Sequence, residues 1–123
     1  MTDLIYKQES YELVNAAIAV WQTLGYGFLE KVYENALAVE FRKRNIPFEQ
    51  QKPITVLYEG ESVGDYFADF MVYDKIILEL KTAREIANEH LAQTLNYLKA
   101  TEIKLALILN FGPKKMEFKR LVY

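Results

Sequence analysis

Cysteine is absent from the 123 residues, histidine occurs once and proline occurs three times. Without cysteine, the chain can form neither a disulfide nor a thiolate zinc site. No apolar run approaches the roughly 20 residues that a membrane-spanning helix needs. The polar, acidic start MTDLIYKQES predicts no signal peptide. We therefore expect a cytoplasmic protein with no membrane association.

The net charge is also small, at −2 near pH 7. This balance argues against strong non-specific binding to nucleic acid, which requires neutralisation of phosphates. Basic residues nevertheless cluster, first at Arg42-Lys43-Arg44 and again at Lys104, Lys114, Lys115, Lys119 and Arg120. Such clusters are most often solvated surface, but they leave room for a local phosphate-binding strip.

The composition is that of one folded domain spanning residues 1–123. Hydrophobic residues make up 51% of the chain and charged residues 26%, which is typical of globular rather than disordered proteins. A chain of this length buries roughly two-thirds of its unfolded surface.

Hydrophobic periodicity predicts three helices. The first covers about residues 10–24, with Ser10 as a plausible N-cap. The second covers about residues 28–44. The third begins with Asn88 as its cap and runs to about residue 100.

The remaining patterns predict β-structure. Alternating apolar residues occupy much of 47–74, and the Lys52-Pro53 step indicates an edge position or a strand start. The apolar run 103–109 is typical of a strand buried on both faces, and residues 116–123 can form a final antiparallel strand. The predicted order ααββββαββ indicates an α/β fold, an α+β sandwich with a mixed sheet.

Charged side chains interrupt the apolar hairpin ADFMVYDKIILELK, residues 68–81. Strand side chains alternate faces, so Glu79 and Lys81 point one way and the apolar residues between them point the other. A loop of odd length, or a bulge near Asp74, makes one face wholly apolar and puts Asp69 beside Glu79 and Lys81. Buried charges are costly unless they pair or hold a metal. The hairpin therefore predicts an Asp69, Glu79 and Lys81 cluster.

The third helix carries two sets of side chains. Leu91, Leu95 and Leu98 form an apolar stripe, and roughly opposite lie Ile86, His90, Gln93 and Tyr97. The second set is either a polar outer face or a group that faces the Asp69 cluster. We expect Gln93 and Tyr97 to face the cluster while the leucines pack elsewhere.

This constellation resembles the PD-(D/E)XK nuclease superfamily. The resemblance rests on a helical acidic residue, Asp69, Glu79-Leu80-Lys81, and then Gln93 and Tyr97 on the next helix. The segment Gly27-Phe28-Leu29-Glu30-Lys31-Val32-Tyr33 is similar to the signature of the small GxxExxY family. Further similar positions are Gln51, Ala68-Asp69, Asn96-Tyr97-Leu98-Lys99 and Asn110-Phe111-Gly112.

Two positions depart from the pattern, and one has a second explanation. Ala68 stands where the superfamily has proline, and Trp21 stands where the narrower family often has histidine. Glu30 lies in the first turn of the second helix, where a carboxylate also complements the helix dipole. The resemblance implies a restriction-endonuclease-like core, a mixed β-sheet flanked by helices in αβββαβ order, with an extra N-terminal helix.

The resemblance also implies roles for individual residues. Asp69 and Glu79 would hold Mg²⁺, or Mn²⁺, with the Leu80 carbonyl between them, and Glu30 would bind a second ion or position water. Lys81 would orient or deprotonate the attacking water, or stabilise charge on the phosphate oxygens. The residues left to contact substrate or support the cluster are Gln93, Tyr97 and Tyr33.

We accordingly expect a Mg²⁺-dependent nuclease, an endonuclease or an exonuclease, that hydrolyses phosphodiester bonds in DNA rather than RNA. The alternative is a non-catalytic module that binds nucleic acid or protein on the same fold. Intact Asp69, Glu79 and Lys81 favour the enzyme. The acidic balance and the lack of a separate target-recognition domain favour the module, and a homodimer or a partner protein is left open.

Overall fold

The computed structural model describes residues 5–123, which form three helices and five strands. The helices are α1 (Lys7–Leu24), α2 (Glu30–Lys43) and α3 (Asn88–Thr101). The strands are β1 (Phe48–Tyr58), β2 (Glu61–Val72), β3 (Ile76–Lys81), β4 (Leu105–Phe111) and β5 (Met116–Val122). Within residues 5–123, no helix is long and apolar enough to cross a membrane.

The strands form one mixed sheet in the order β1-β2-β3-β4-β5. β3 and β4 are parallel, because α3 carries the chain back between them, and the other neighbours are antiparallel. β1 lies at an edge, as the Lys52-Pro53 step predicts. Proline has no backbone N–H to donate, so it is tolerated on an edge strand, where one side of the backbone needs no ladder hydrogen bond. The predicted fold class, a mixed sheet flanked by helices, is confirmed.

Helices cover both faces of the sheet. α1 and α2 pack on one face, where the core includes Phe41, Phe70, Leu78 and Leu107. α3 packs on the other face, around Ile77, Tyr97, Leu98 and Ala106. β3 and β4 are buried on both faces, which explains why their sequences are nearly continuous apolar runs.

The register of the β2–β3 hairpin agrees with the prediction. Phe70 pairs with Leu78 and Val72 pairs with Ile76, so a three-residue loop connects the strands. The loop residues Tyr73 and Asp74 adopt positive φ values of 54° and 57°. Because the loop is odd, Asp69 falls on the face of Glu79 and Lys81, and the other face is apolar.

Several predicted boundaries were wrong. The region before α3 contains three strands instead of four, because β2 runs without a break into the hairpin. α1 begins at Lys7, so Ser10 lies inside the helix, and its Oγ accepts a hydrogen bond from Arg120 at 2.8 Å. Asn88 is the first helical residue of α3. The residue before it, Ala87, donates its N–H to His90 Nδ1 at 3.0 Å.

Candidate active site where β2 and β3 separate

The site is built where the backbone pairing of β2 and β3 ends. The last paired residues are Phe70 and Leu78. Beyond them, the Leu80 N–H donates to Asp69 Oδ2 at 2.7 Å. The carboxylate thus replaces a backbone acceptor of β2. In a strand, the N–H and the C=O of one residue point to the same side. The Leu80 carbonyl therefore faces the gap between the two strands as well.

Glu79 lies inside this gap with an unsatisfied oxygen. The residue is 7% exposed, and its Oε1 atom has no hydrogen-bond partner. Burial, and then the negative charge of Asp69, raise the pKa of Glu79 to about 9, while Lys81 acts in the opposite direction. Glu79 is therefore protonated at neutral pH as long as no cation offsets its charge.

Glu30 and Lys81 complete the cluster predicted from the sequence. Burial raises the pKa of Glu30, and the charge of Asp69 raises it further, whereas Lys81 lowers it. The N-terminus of α2 thus brings Glu30 to the gap from the helical layer. Lys81 forms no ion pair within 4 Å among the described residues, so its ammonium group is available.

Two residues without a predicted role hold Asp69 in place. Gln51 Nε2 donates to Asp69 Oδ1 at 3.3 Å and to Glu34 Oε1 at 2.9 Å. Glu34 is 4% exposed and also accepts from Lys31 Nζ at 3.1 Å and from Gln50. The Gln51 backbone has a φ of 55°, an uncommon conformation for a residue other than glycine. That strain is located where the side chain reaches the site.

A sequence signal for Glu34 existed. Glu34 follows Glu30 by four residues, so both carboxylates lie on one face of α2. Gln51 appears among the positions that match the narrower family, but its partners depend on how α2 crosses β1. The site therefore contains four acidic residues: Glu30, Glu34, Asp69 and Glu79.

These carboxylates do not form a ready-made metal cage. Across residues 5–123, no group of three or more His, Asp or Glu side chains is arranged to hold a metal ion. Asp69 is committed to Leu80 and Gln51 through hydrogen bonds, and Glu34 is committed to Lys31 and the glutamines. Among the buried side-chain atoms of the described residues, Glu79 Oε1 is the acceptor without a hydrogen-bond partner.

The α3 side chains divide differently from the prediction. Tyr97 is buried, and burial together with the charge of Glu79 raises its pKa to about 12. Leu98 belongs to the same core cluster as Tyr97, so the expectation that it packs elsewhere was wrong. Gln93 is exposed and has no hydrogen bond to the cluster among the described residues.

A groove of about 930 Å³ runs between α3 and the β1–β2 hairpin. Gln93, His90 and Tyr97 line it on the helix side, and the Tyr66 ring lies 5.6 Å from that of Tyr97. Asp69, Glu79 and Lys81 are not part of its lining. The groove therefore lies beside the acidic cluster and approaches it through Tyr97.

Tyr33 and Trp21 are structural. Tyr33 is fully buried, donates its hydroxyl to the Gly25 carbonyl, and stacks on Phe111 with ring centroids 4.6 Å apart. It supports the segment that leads to Glu30 and is too buried to contact a substrate. Trp21 Nε1 donates to the Gly112 carbonyl at 3.0 Å, which ties α1 to the turn after β4.

Comparison with known proteins places this geometry in context. A family model described as the PD-(D/E)XK nuclease superfamily matches residues 7–121. The crystal structure of SSO0001 superposes with a TM-score of 0.63 and 17% identity, covering 95% of this chain and 60% of that one. An alkaline exonuclease, LHK-Exo from Laribacter hongkongensis, superposes with a TM-score of 0.55 and 14% identity, covering 99% and 72%.

At these identities the structural similarity shows the fold alone. The chain spans 60% of the length of SSO0001, so the whole of that protein is not represented here. No curated protein matches the sequence significantly.

Proposed function

The chain belongs to the PD-(D/E)XK nuclease superfamily, and on that premise we propose that it is a Mg²⁺-dependent nuclease that hydrolyses phosphodiester bonds in DNA. The main support is the unsatisfied Glu79 Oε1 beside Asp69, at the gap between β2 and β3. A buried polar atom without a partner costs about 1–3 kcal/mol. Such a cost is typical of a site that gains its partner on binding. Within the superfamily, Gly27, Glu30 and Tyr33 support assignment to the GxxExxY type.

The donor set fits a hard divalent cation. Asp69, Glu79 and the Leu80 carbonyl offer only oxygen, which Mg²⁺ and Mn²⁺ prefer. Mg²⁺ often uses one or two carboxylates and keeps several waters, so the absence of a third suitably placed His, Asp or Glu side chain within residues 5–123 is compatible with this ion. Glu30 would bind a second ion or position water. The bound ion would supply Lewis acidity toward a phosphate oxygen and toward the attacking water.

The residues around the cluster would orient the reaction. Asp69 is held by Leu80 and Gln51, so its free lone pairs have a fixed direction. Lys81 lies on the same strand face as Glu79 and has an uncommitted ammonium group. It would orient the water or stabilise the charge that develops on the phosphate oxygens. Tyr97 would brace the cluster, and Gln93 would contact the strand in the neighbouring groove.

The proposal is tested with purified protein on single- and double-stranded DNA and RNA in Mg²⁺, Mn²⁺ or EDTA. We expect cleavage of DNA with Mg²⁺ or Mn²⁺ and none with EDTA. Asp69→Asn should remove cleavage and metal binding together. Lys81→Gln should remove cleavage, by about 10²-fold or more, and leave metal binding nearly intact because lysine is not a ligand.

Matched variants control for charge and location. Asp65 lies on the same strand as Asp69, and its side chain accepts a hydrogen bond from the exposed Thr55 hydroxyl at 3.2 Å. The Asp65→Asn variant should keep full activity. Lys119→Gln removes an exposed lysine from β5 and should do the same. Wild-type protein that binds DNA but cleaves nothing with any metal would refute the enzyme and support the non-catalytic module.

A further inference from the structure

A second pocket, of about 590 Å³, lies beyond the ends of the two parallel strands. We call it the basic pocket; it is lined by Tyr26, Arg84, Glu85, Pro113, Lys114, Lys115 and Glu117. Three of these side chains are cationic and two are anionic. The cations come from two segments, the connection from β3 to α3 and the turn from β4 to β5.

Asn110 fastens these two segments to each other. Its side chain is fully buried, and Oδ1 accepts the Ala83 N–H at 2.9 Å. Nδ2 donates to the Ala83 carbonyl at 3.0 Å and to Glu117 Oε1 at 3.3 Å. Gly112 lies close by and lets the backbone pack tightly, because a Cβ there would lie 3.0 Å from the Lys115 carbonyl. These contacts thus hold together the two backbone segments that carry Arg84, Lys114 and Lys115.

The three cations of the basic pocket have no ion-pair partner among the described residues. Arg84, Lys114 and Lys115 form no ion pair within 4 Å with any described residue. In the Arg42-Lys43-Arg44 cluster, by contrast, Arg44 and Lys43 both pair with Glu40, at 2.7 and 3.8 Å. The two basic clusters of the sequence therefore differ: two cations of the first share the Glu40 carboxylate, whereas Lys114 and Lys115 of the second have no ion-pair partner within residues 5–123.

The basic pocket adjoins the candidate active site. Asn110 is the register partner of Lys81 across the parallel pair, and Arg84 follows Lys81 by three residues. Tyr26 precedes Glu30 by four residues, and its side chain is 52% exposed. A strand whose phosphate lies at Lys81 thus has the basic pocket immediately next to it.

We propose that the basic pocket binds the phosphate backbone of the substrate strand beside the cleaved bond, through Arg84, Lys114 and Lys115. The proposal rests on the proposed nuclease function. Guanidinium and ammonium groups are the usual partners of phosphate oxygens. The exposed Tyr26 ring offers a base a surface for stacking, which favours a nucleic acid over free phosphate. The negative charges of Glu85 and Glu117 limit the attraction of phosphate to this short stretch of the surface, in keeping with the small net charge of the chain.

The test measures binding of a fluorescent single-stranded oligonucleotide by anisotropy, in EDTA so that nothing is cleaved. The variant is Arg84→Gln/Lys114→Gln/Lys115→Gln. The control, Arg42→Gln/Lys43→Gln/Arg44→Gln, removes the same charge from exposed positions. The affinity is measured over a salt series, since each phosphate contact with a single strand adds about 0.7 to the slope of log K against log salt.

We expect the pocket variant to bind roughly 10- to 100-fold more weakly near 0.1 M salt, with a slope smaller by about 2. The control should match the wild type, and inorganic phosphate at the ionic strength of the salt series should compete no better than chloride. Equal slopes for the wild type and the pocket variant would overturn the proposal. An equal loss in the control would also overturn it, because the effect would then be one of net charge.

The two proposals fail separately. A pocket variant that behaves as expected, in a protein that cleaves nothing with Mg²⁺ or Mn²⁺, would keep the binding site and refute the nuclease. Cleavage by the wild type with unaltered binding by the pocket variant would refute the binding site alone. Thermal unfolding of both triple variants checks that each is folded before it is compared.

Discussion

Glu79 is a buried acid whose protonation differs between the folded and unfolded chains. Its pKa rises from the ordinary value of 4.5 to about 9, mainly because burial removes water from the charged form. An acid with a raised pKa stabilises the fold fully at pH values below its unfolded pKa, and this stabilisation is lost as the pH rises toward the folded pKa. Metal-free protein should therefore lose stability between about pH 4.5 and pH 9.

Glu79→Gln should remove this pH dependence. In EDTA, the free energy of unfolding of the wild type should fall with pH relative to the variant, by up to about 1.4 kcal/mol per pH unit. The measurement is urea unfolding at pH 5, 6, 7 and 8. Glu61→Gln, at an exposed position of β2, should parallel the wild type. A difference between wild type and Glu79→Gln that is the same at every pH would contradict a raised pKa.

Asp69 has two effects on stability that oppose each other. Burial and the negative charge of Glu34 both disfavour the ionised Asp69 carboxylate and raise its pKa, so a neutral substitution would remove this cost in metal-free protein. Asp69 also satisfies the Leu80 N–H at 2.7 Å, however. Asparagine keeps an acceptor oxygen at this position and alanine does not.

We predict that Asp69→Asn is at least as stable as the wild type in EDTA. Asp69→Ala should be less stable than Asp69→Asn by about 1–3 kcal/mol, because it leaves a buried N–H unpaired. Denaturant unfolding of the three proteins gives the comparison. Equal stability of the two variants would mean that water satisfies the Leu80 N–H, and that this hydrogen bond does not shape the site.

At the scale of elements, β3 and β4 position the basic pocket through the segments at their carboxyl ends. The backbone beyond β3 is held at Ala83 by the Asn110 side chain on β4. Trp21 on α1 secures the turn beyond β4 through the Gly112 carbonyl. The Asn110-Phe111-Gly112 sequence thus connects the segments that follow β3 and β4.

Asn110→Ala should destabilise the protein by about 1–3 kcal/mol, since it leaves two partly buried backbone groups of Ala83 without their side-chain partner. It should also weaken binding of the oligonucleotide, because Arg84 is no longer fixed relative to Lys114 and Lys115. Asn35→Ala removes a single exposed hydrogen bond with Gln50 and should change stability by less than about 0.5 kcal/mol. Chemical unfolding and anisotropy measure both effects. Unchanged stability in Asn110→Ala would show that water replaces the side chain.

The sequence predicted where α3 lies along the chain but not which of its side chains pack against the sheet. The buried residues of α3 are Thr94, Tyr97 and Leu98. Tyr97 and Leu98 are neighbours in sequence, and both reach the same core because the helix lies with that edge against the sheet. An apolar stripe counted from leucines alone misses this, since a buried tyrosine contributes as much apolar surface as a leucine.

For the molecule as a whole, metal binding should be visible as stability. A ligand that binds only the folded state at about 100 times its Kd adds about 2.7 kcal/mol, or roughly 10 °C for a chain of this length. We predict such a rise in Tm for the wild type with Mg²⁺ and none for Asp69→Asn. NaCl at equal ionic strength controls for screening. Equal shifts in both proteins would place the bound ion elsewhere.

Local sequence was sufficient to specify the sheet faces and the register of the central hairpin. Alternation in 76–81 sets Glu79 apart from its apolar neighbours, and burial of Phe70 against Leu78 selects the odd loop. Pro53 marks an edge strand for a reason internal to proline. These features depend on periods of two or on single residues, so a local pattern is enough to predict them.

Tertiary packing determines which side chains support the acidic cluster and which charged side chains have no ion-pair partner. The Gln51 contacts with Glu34 and Asp69 join three elements, and neither sequence separation nor residue type specifies such a meeting. Arg44 and Lys114 both lie in short runs of basic residues. Arg44 nevertheless pairs with Glu40, whereas Lys114 has no ion-pair partner among residues 5–123. These contacts depend on how the helices lie across the sheet, and that arrangement is set by packing of the entire core.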